Sequence, residues 1–236
     1  PPYKARRDQP ALQATSRLSA ALHFGQIHPR TMLAEIPAVA TDPFARQLAW
    51  REFYADVLWH QPHAVWSSLD ARFDSDMAYD RDDDLFTAWT QGRTGYPFVD
   101  AGMRQLLAEG WMHNRLRMVT ASFLIKDLHQ PWQKGAAWFM AHLVDADVAN
   151  NQLGWQWVAG CGTDAAPYFR IFNPTTQGRR FDPDGVYIRR YVSELADVAD
   201  PHEPGVLAVD YPAPVVDHAG ARDEALTRFQ ALPSRS

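Results

Sequence analysis

Two stretches of this chain, residues 92–128 and 145–178, set Trp, Asn, Arg and Asp among apolar positions whose spacing implies burial. Residues 98–109 carry Val99, Met103, Leu106 and Leu107, and residues 112–128 carry Leu116, Val119, Phe123, Leu124 and Leu128, both at helical intervals. Burying an amide or a charge without a partner costs on the order of several kcal/mol, so the fold must satisfy these groups. A core built for stability alone uses Leu and Val. These segments read as the lining of a polar pocket for a large aromatic ligand.

The rest of the chain is also helical in pattern. Residues 15–25 begin with Thr15 and Ser16 in N-cap positions and stop at Gly25. Apolar positions recur at helical spacing over 44–60, and the pattern restarts over 62–70 after Pro62. Asp82, Asp83 and Asp84 form an acidic turn leading into 85–91, and Pro131 opens a helix running to about Asp145. From Asn173 the sequence is rich in Pro, Gly and Asp, which predicts short helices and a loop-like segment at 201–216. No alternation long enough for a sheet and no repeat is present. The expectation is one all-α domain over 1–236 with an irregular, Pro-rich C-terminal segment.

Composition narrows the function. No apolar run approaches a membrane span. The start, PPYKARRDQP, has neither an initiator Met nor a signal-peptide core, and reads as cut from a longer chain. The lone Cys161 rules out an internal disulfide framework and suits a reducing cytoplasm. A net charge of −5 excludes a globally basic nucleic-acid binder, so any binding to phosphates needs a local basic patch. Nine Trp residues require partners for their indole N–H groups wherever they are buried.

Several motifs have plain readings. Gly160-Cys161-Gly162 superficially resembles a dinucleotide fingerprint, but it follows GWQWVA with no strand and no βαβ unit around it. His60 and His63 are separated by Pro62 and lack a third ligand, and the clusters Asp74/Asp76 and Asp82–Asp84 lack the Gly and terminal Glu of a calcium loop; no metal site is expected. Thr15, Ser16, Arg17, Leu18 and Ser19 at a helix start suit a phosphate, although alone they read more simply as an ordinary cap. Trp111, Asn114, Arg115 and Met118 share a helical face with Arg117 one step round, either a core helix with one polar edge or a site. Asp145 and Asp147 bracket Ala146 as an acid pair able to meet Arg117. A buried ion pair is poor evidence of stability and better evidence of a site that manages ligand charge.

These residues resemble the helical flavin-binding domain of the photolyase/cryptochrome family. The resemblance runs from Tyr3 to about Arg222, through the TSRLS block, WREFY at 50–54, WMHNRLRM at 111–118, TDAAPYFRIFNPTTQG at 163–178 and DYPAPVVDH at 210–218. It implies a U-shaped FAD, reduced and anionic in the active form, at the bottom of a cavity in a DNA-binding face. Tyr3 and Thr15 to Ser19 would hold its phosphates. Phe44, Gln47, Arg51, Trp111, Asn114, Arg117, Asp145, Ala146 and Asp147 would surround the flavin and adenine, and Asn151 would face the flavin N5. An amide there can offer its oxygen to a protonated nitrogen or its N–H to an unprotonated one. In repair members, light drives an electron into a pyrimidine dimer flipped from UV-damaged DNA. Trp50 and Trp157 would stack on that dimer, with Gln47, Asn114 and Met118 touching it. Arg7, Arg51, Arg115, Arg170 and Gln177 would contact DNA. An α/β domain carrying any antenna pigment is expected upstream, and the protein is expected to be a monomer.

Asn114 resembles the cyclobutane-dimer branch; the (6-4) branch has a His-His pair there. Two departures favour a rival, a cryptochrome-like photoreceptor that signals without repair. Gln47 stands where cyclobutane-dimer photolyases carry Glu, and Gln cannot give up a proton at any useful pKa. The electron chain would run through Trp155 and Trp132 to Tyr79, where an ungapped count from WREFY places the distal tryptophan. Tyr79 would need a proton acceptor, for which Asp80 is the neighbour, or Trp89 would end the chain instead.

Overall fold

Caps and prolines cut this chain into short helices, and side chains from distant segments pin the turns between them. The computed structural model describes residues 3–36, 42–163, 169–205 and 210–234. Its helices are α1 (Tyr3–Arg6), α2 (Ser19–His23), α3 (Pro29–Ala34), α4 (Pro43–His60), α5 (Arg72–Ser75), α6 (Asp83–Thr90) and α7 (Pro97–Glu109). They continue as α8 (Asn114–Lys126), α9 (Trp132–His142), α10 (Val148–Ala159), α11 (Pro174–Phe181), α12 (Val186–Tyr191) and α13 (His218–Gln230). No strand occurs among the described residues, so the all-α expectation holds. None of these helices is long and apolar enough to cross a membrane. Residues 164–168 of the TDAAPYFRIFNPTTQG motif and 206–209 of the predicted loop lie outside the described residues.

Side-chain oxygens start the main helices. Asp42 accepts from the Phe44 and Ala45 N–H groups at 2.8 and 2.9 Å, with Pro43 at the first helical position of α4. Asp82 caps α6 in the same way, so the acidic turn is a cap followed by first-turn carboxylates. Asp147 caps α10 through the Asn150 N–H at 2.9 Å.

α10 is the central element, packed against α4, α8 and α9. Periodicity does not announce it as a helix, because Leu153, Trp155, Gln156 and Val158 are buried on several of its sides and leave no single apolar stripe. Its end explains the Gly-Cys-Gly motif. Gly160 adopts φ 93°, and the Gly160, Cys161 and Gly162 N–H groups all turn back onto the Gln156 carbonyl.

Several predicted boundaries move, among them the helix expected to about Asp145, which ends at His142 where Leu143 turns extended. The helix expected over 15–25 is only Ser19–His23, because Arg17 takes a left-handed φ of 52° and Leu18 makes no side-chain cap. The restart over 62–70 shrinks to a single 3-10 turn, Pro62–Val65. Side chains then take the backbone donors that a helix would use: Ser68 N–H goes to Asp74 at 2.7 Å and Leu69 N–H to Gln156 Oε1 at 2.9 Å. Trp111 precedes α8, so it does not share the helical face of Asn114 and Met118.

The Pro-rich C-terminal segment is held to the bundle by buried polar contacts. Asp100 of α7 is fully buried and accepts from Thr94 N–H at 2.8 Å, Thr94 Oγ1 at 2.7 Å and the Tyr211 hydroxyl. Tyr96 OH donates to the Val216 carbonyl at 2.8 Å, and His218 meets Asp127. Beyond these anchors α13 runs for thirteen residues, longer than the short helices predicted there.

Trp89 fills the core at 0% exposure, its indole N–H donating to the Thr120 carbonyl at 3.0 Å. Phe86 and Phe139 stack on it, and Trp155 meets its edge at 6.1 Å. Trp155 in turn lies where Gly135 has no side chain, and a Cβ there would overlap its ring and Leu124. Gly135→Ala is expected to destabilise the fold by ~1–3 kcal/mol through overpacking. The midpoint of denaturant unfolding measures it, and an unchanged midpoint would contradict this packing.

Candidate functional site

α4, α8 and α10, with the residues before α10 and just after α1, enclose a cavity of about 410 Å3, within the usual size range of ligand pockets. α4 contributes Gln47, Trp50 and Tyr54, which helical spacing places on one face. α8 contributes Asn114, Arg115, Arg117, Met118 and Ala121, α9 contributes Phe139, and Leu143 follows α9 directly. Asp145, Ala146 and Asp147 form one rim, while α10 adds Asn150, Asn151, Trp155, Trp157 and Val158. Arg7 and Asp8 close the remaining side.

Its arginines are paired with carboxylates. Arg117 Nη2 reaches both Asp145 oxygens, at 3.0 and 2.8 Å, and its Nε donates to the Met112 carbonyl at 2.8 Å. Arg115 holds Asp8 at 3.0 Å, and Arg51, just behind the wall, holds Asp147 at 3.1 Å. Burial pushes the Asp147 carboxyl up, but the two Asn150 N–H donors and Arg51 outweigh it and hold the group below its usual range.

Asn151 is fixed in orientation. Gln152 donates to the Val65 carbonyl at 2.5 Å, so its oxygen is an acceptor and takes Asn151 Nδ2 at 2.7 Å. The Ala136 carbonyl takes the same nitrogen at 3.0 Å. The Asn151 carboxamide oxygen therefore remains to accept from a ligand. At the mouth Trp50 is 41% exposed, and Trp157 is half-buried under the Arg170 guanidinium at 4.9 Å.

Residues 44–231 match the model of a family described as the FAD-binding domain of DNA photolyase. The chain belongs to the photolyase family. It is 48% identical, over 97% of its length, to the deoxyribodipyrimidine photo-lyase of Salmonella typhimurium, and 46% identical to that of Escherichia coli over the same share. Among solved structures, a bacterial class III photolyase from Agrobacterium tumefaciens superposes with a TM-score of 0.88 at 44% identity over 98% of this chain. A Synechocystis cryptochrome gives 0.87 at 30% over 95%. The chain spans about half the length of these relatives: 52% of both photo-lyases and of the class III photolyase, and 51% of the cryptochrome.

A photolyase flavin needs an amphipathic cleft, and the donor set here suits one. Amides of Asn114, Asn150 and Asn151 face apolar walls of Met118, Phe139, Leu143 and Trp155. Tyr3, Thr15 to Ser19, Phe44, Arg51 and Trp111, also expected at the site, are not among the residues that line the cavity. Tyr3 packs edge-on against Phe44 at 5.5 Å, under Arg7. Arg17 lies over Trp111 at 4.2 Å and pairs with Glu109 at 3.1 Å, which ties the stretch from Thr15 through Ser16 and Leu18 to Ser19 to the end of α7. Gln177 does not line the cavity, and its buried Oε1 has no partner. Trp132 is fully buried and does not line the cavity. The Tyr79 hydroxyl is buried and unpartnered, while Asp80 is bound by Arg228 at 3.0 Å.

Sequence reasoning missed Tyr54, Asn150, Asp8 and His113. Tyr54 was legible as the position four after Trp50. His113 caps α8, its Nδ1 accepting the Arg115 N–H at 3.1 Å, and so sets the helix that carries Asn114, Arg115, Arg117 and Met118. The imidazole is 2% exposed, and burial lowers its pKa from 6.5 to about 4. The cap needs Nδ1 unprotonated, which agrees with that direction. Between those two values the unfolded chain binds the additional proton, so stability falls as pH drops from 6.5 to about 4. His113→Asn keeps a capping oxygen, and its unfolding midpoint should change less with pH over that window than the wild type's.

Proposed function

We propose that this domain binds FAD in the cavity and repairs cyclobutane pyrimidine dimers in UV-damaged DNA under blue light. The observation that carries the reading is one cavity with two chemistries. Its lining joins the fixed Asn151 acceptor and the Arg117–Asp145 pair to the aromatic rings of Trp50 and Trp157. Bound reduced FAD would supply the electron that opens the dimer ring. Trp50 and Trp157 would stack on the flipped pyrimidines, and Met118 and Asn114, which touch at 3.8 Å, would meet their edges. Arg7, Arg51, Arg115, Arg170 and Gln177 would position the DNA backbone or the lesion, and Tyr3 with Thr15 to Ser19 would hold the FAD phosphates.

The Trp155–Trp132 pair would refill the flavin with electrons from within the protein. Any antenna pigment would sit on a separate domain, as the half-length match to relatives supports. The protein is taken as a cytoplasmic monomer, which the lone buried Cys161 suits.

The second reading, a photoreceptor that signals without repair, is favoured by Gln47. Its amide lines the cavity beside Trp50 and can donate to a pyrimidine carbonyl without giving up a proton. Blue-light repair of an oligonucleotide bearing one thymine dimer decides between them. With flavin bound and reduced, intact thymines are expected to reappear; a filled flavin site with no repair in the wild type and in Gln47→Glu would select the photoreceptor.

Two further outcomes follow from the geometry. Gln47→Glu is expected to raise repair per absorbed photon severalfold. Trp50→Ala and Trp157→Ala should each weaken binding of dimer-containing DNA by ~1–3 kcal/mol relative to undamaged DNA, as titration would measure.

A further inference from the structure

Trp132 is 0% exposed, yet its indole N–H is connected to solvent. Nε1 donates to Ser68 Oγ at 3.0 Å, and Ser68 Oγ donates to Asp74 Oδ1 at 2.7 Å. Ser68 is buried at 3% exposure, whereas Asp74, on α5, is exposed. The second Asp74 oxygen accepts the Ser68 N–H at 2.7 Å, and Gln133 Nε2 donates to Oδ1 at 3.0 Å, so the carboxylate is held in place.

A buried indole needs only an acceptor, and for Trp89 the Thr120 carbonyl serves at 3.0 Å. A carbonyl accepts a proton's hydrogen bond but passes nothing on. A hydroxyl accepts and donates at once, and a carboxylate at its far end can keep the proton. Tyr79 lacks any such route: its hydroxyl is buried without a partner, and Arg228 occupies Asp80. The ring of Trp155 fills the space over Gly135, one turn along α9 from Trp132, so it lies against the helix that carries Trp132.

We propose that Trp132 is a proton-coupled redox residue, with Ser68 and Asp74 as positioning residues that conduct its indole proton to solvent. The proposal rests on the Trp155–Trp132 electron route given above. The oxidant is the photoexcited, oxidised flavin, acting through Trp155. Trp132 gives one electron to oxidised Trp155, and its Nε1–H bond breaks. That proton passes to Ser68 Oγ while the serine's own proton passes to Asp74 Oδ1. The products are a neutral indolyl radical, an intact serine and a protonated carboxyl that exchanges with water. Proton loss removes the charge that would otherwise draw the electron back.

Flash photolysis of the protein with oxidised FAD bound tests this, because indole radical cations and neutral radicals absorb at different wavelengths. Trp155→Phe is expected to abolish the Trp132 radical, which checks the electron route itself. Ser68→Ala and Asp74→Asn should still form the radical cation, but the neutral radical should appear about tenfold or more slowly. The wild-type rate should show a solvent isotope effect, and Tyr79→Phe should leave that rate unchanged. Bound-flavin spectra and thermal melts establish that each variant is folded. If Ser68→Ala does not fold, Asp74→Asn decides alone, since Asn keeps an acceptor oxygen for Ser68 but takes up no proton. Neutral-radical formation at the wild-type rate in Asp74→Asn would overturn the proposal. A Trp132 radical that persists in Trp155→Phe would instead overturn the electron route, and the proposal with it.

Discussion

The pairing of Arg117 with Asp145 is the constraint on which the cavity depends. The Asp145 side chain is 1% exposed, and Arg117 fastens it to the start of α8 while also holding the Met112 carbonyl. That bond fixes the rim before α10 relative to α8. Arg51 and Asp147 do the same between α4 and α10. A buried ion pair contributes little net stability, because desolvation of both charges offsets their attraction. Its effect here is geometric: three helices take one mutual orientation, and the amides and tryptophans between them face a common space.

A single carboxamide does comparable work behind the cavity. Gln156 accepts from Leu69 N–H and donates to the Ala64 and Ser67 carbonyls, at 2.9, 2.9 and 3.2 Å. A fully satisfied buried amide is specific to one arrangement, since any shift leaves a polar group unpaired. Through it α10 dictates the path of the segment that presents Ser68 to Trp132. The irregular chain between α4 and α5 is thus as determined as a helix, by partners instead of by periodicity.

That distinction accounts for what the sequence disclosed. α7 and α8 were legible because large apolar residues recur in them every three or four positions, as Val99, Met103 and Leu106 do in one and Leu116, Val119 and Phe123 in the other, and α4 because its spacing is regular until Pro62. α10 was not, since burial on several sides erases the stripe that periodicity detects. The fate of 62–70 depended on Gln156 and Asp74, and Gln156 lies 87 residues from its Leu69 partner. Within the site, WREFY and WMHNRLRM announced Trp50, Asn114, Arg117 and Met118 as local patterns. Asp8 could not be found that way, because its role is to meet Arg115 at a separation of 107 residues. His113 was hidden differently: His is outside the usual set of capping residues, and only the observed Nδ1 contact shows it acting as one.

The carboxylate partners of Arg51, Arg115 and Arg117 bear on how the proposed DNA substrate would be met at this cavity. An arginine in open water surrenders its interaction with mobile ions when a phosphate arrives, and the counterions released from the nucleic acid make such binding steeply salt-dependent. Here each guanidinium already has a fixed counter-charge built into the wall. A phosphate reaching one of them trades places with a tethered aspartate and adds little to the net charge neutralised. The affinity of this face for a charged backbone would then fall with ionic strength along a shallower slope than its number of arginines implies. Discrimination would rest on what the aromatic mouth can stack, a contribution that salt does not screen.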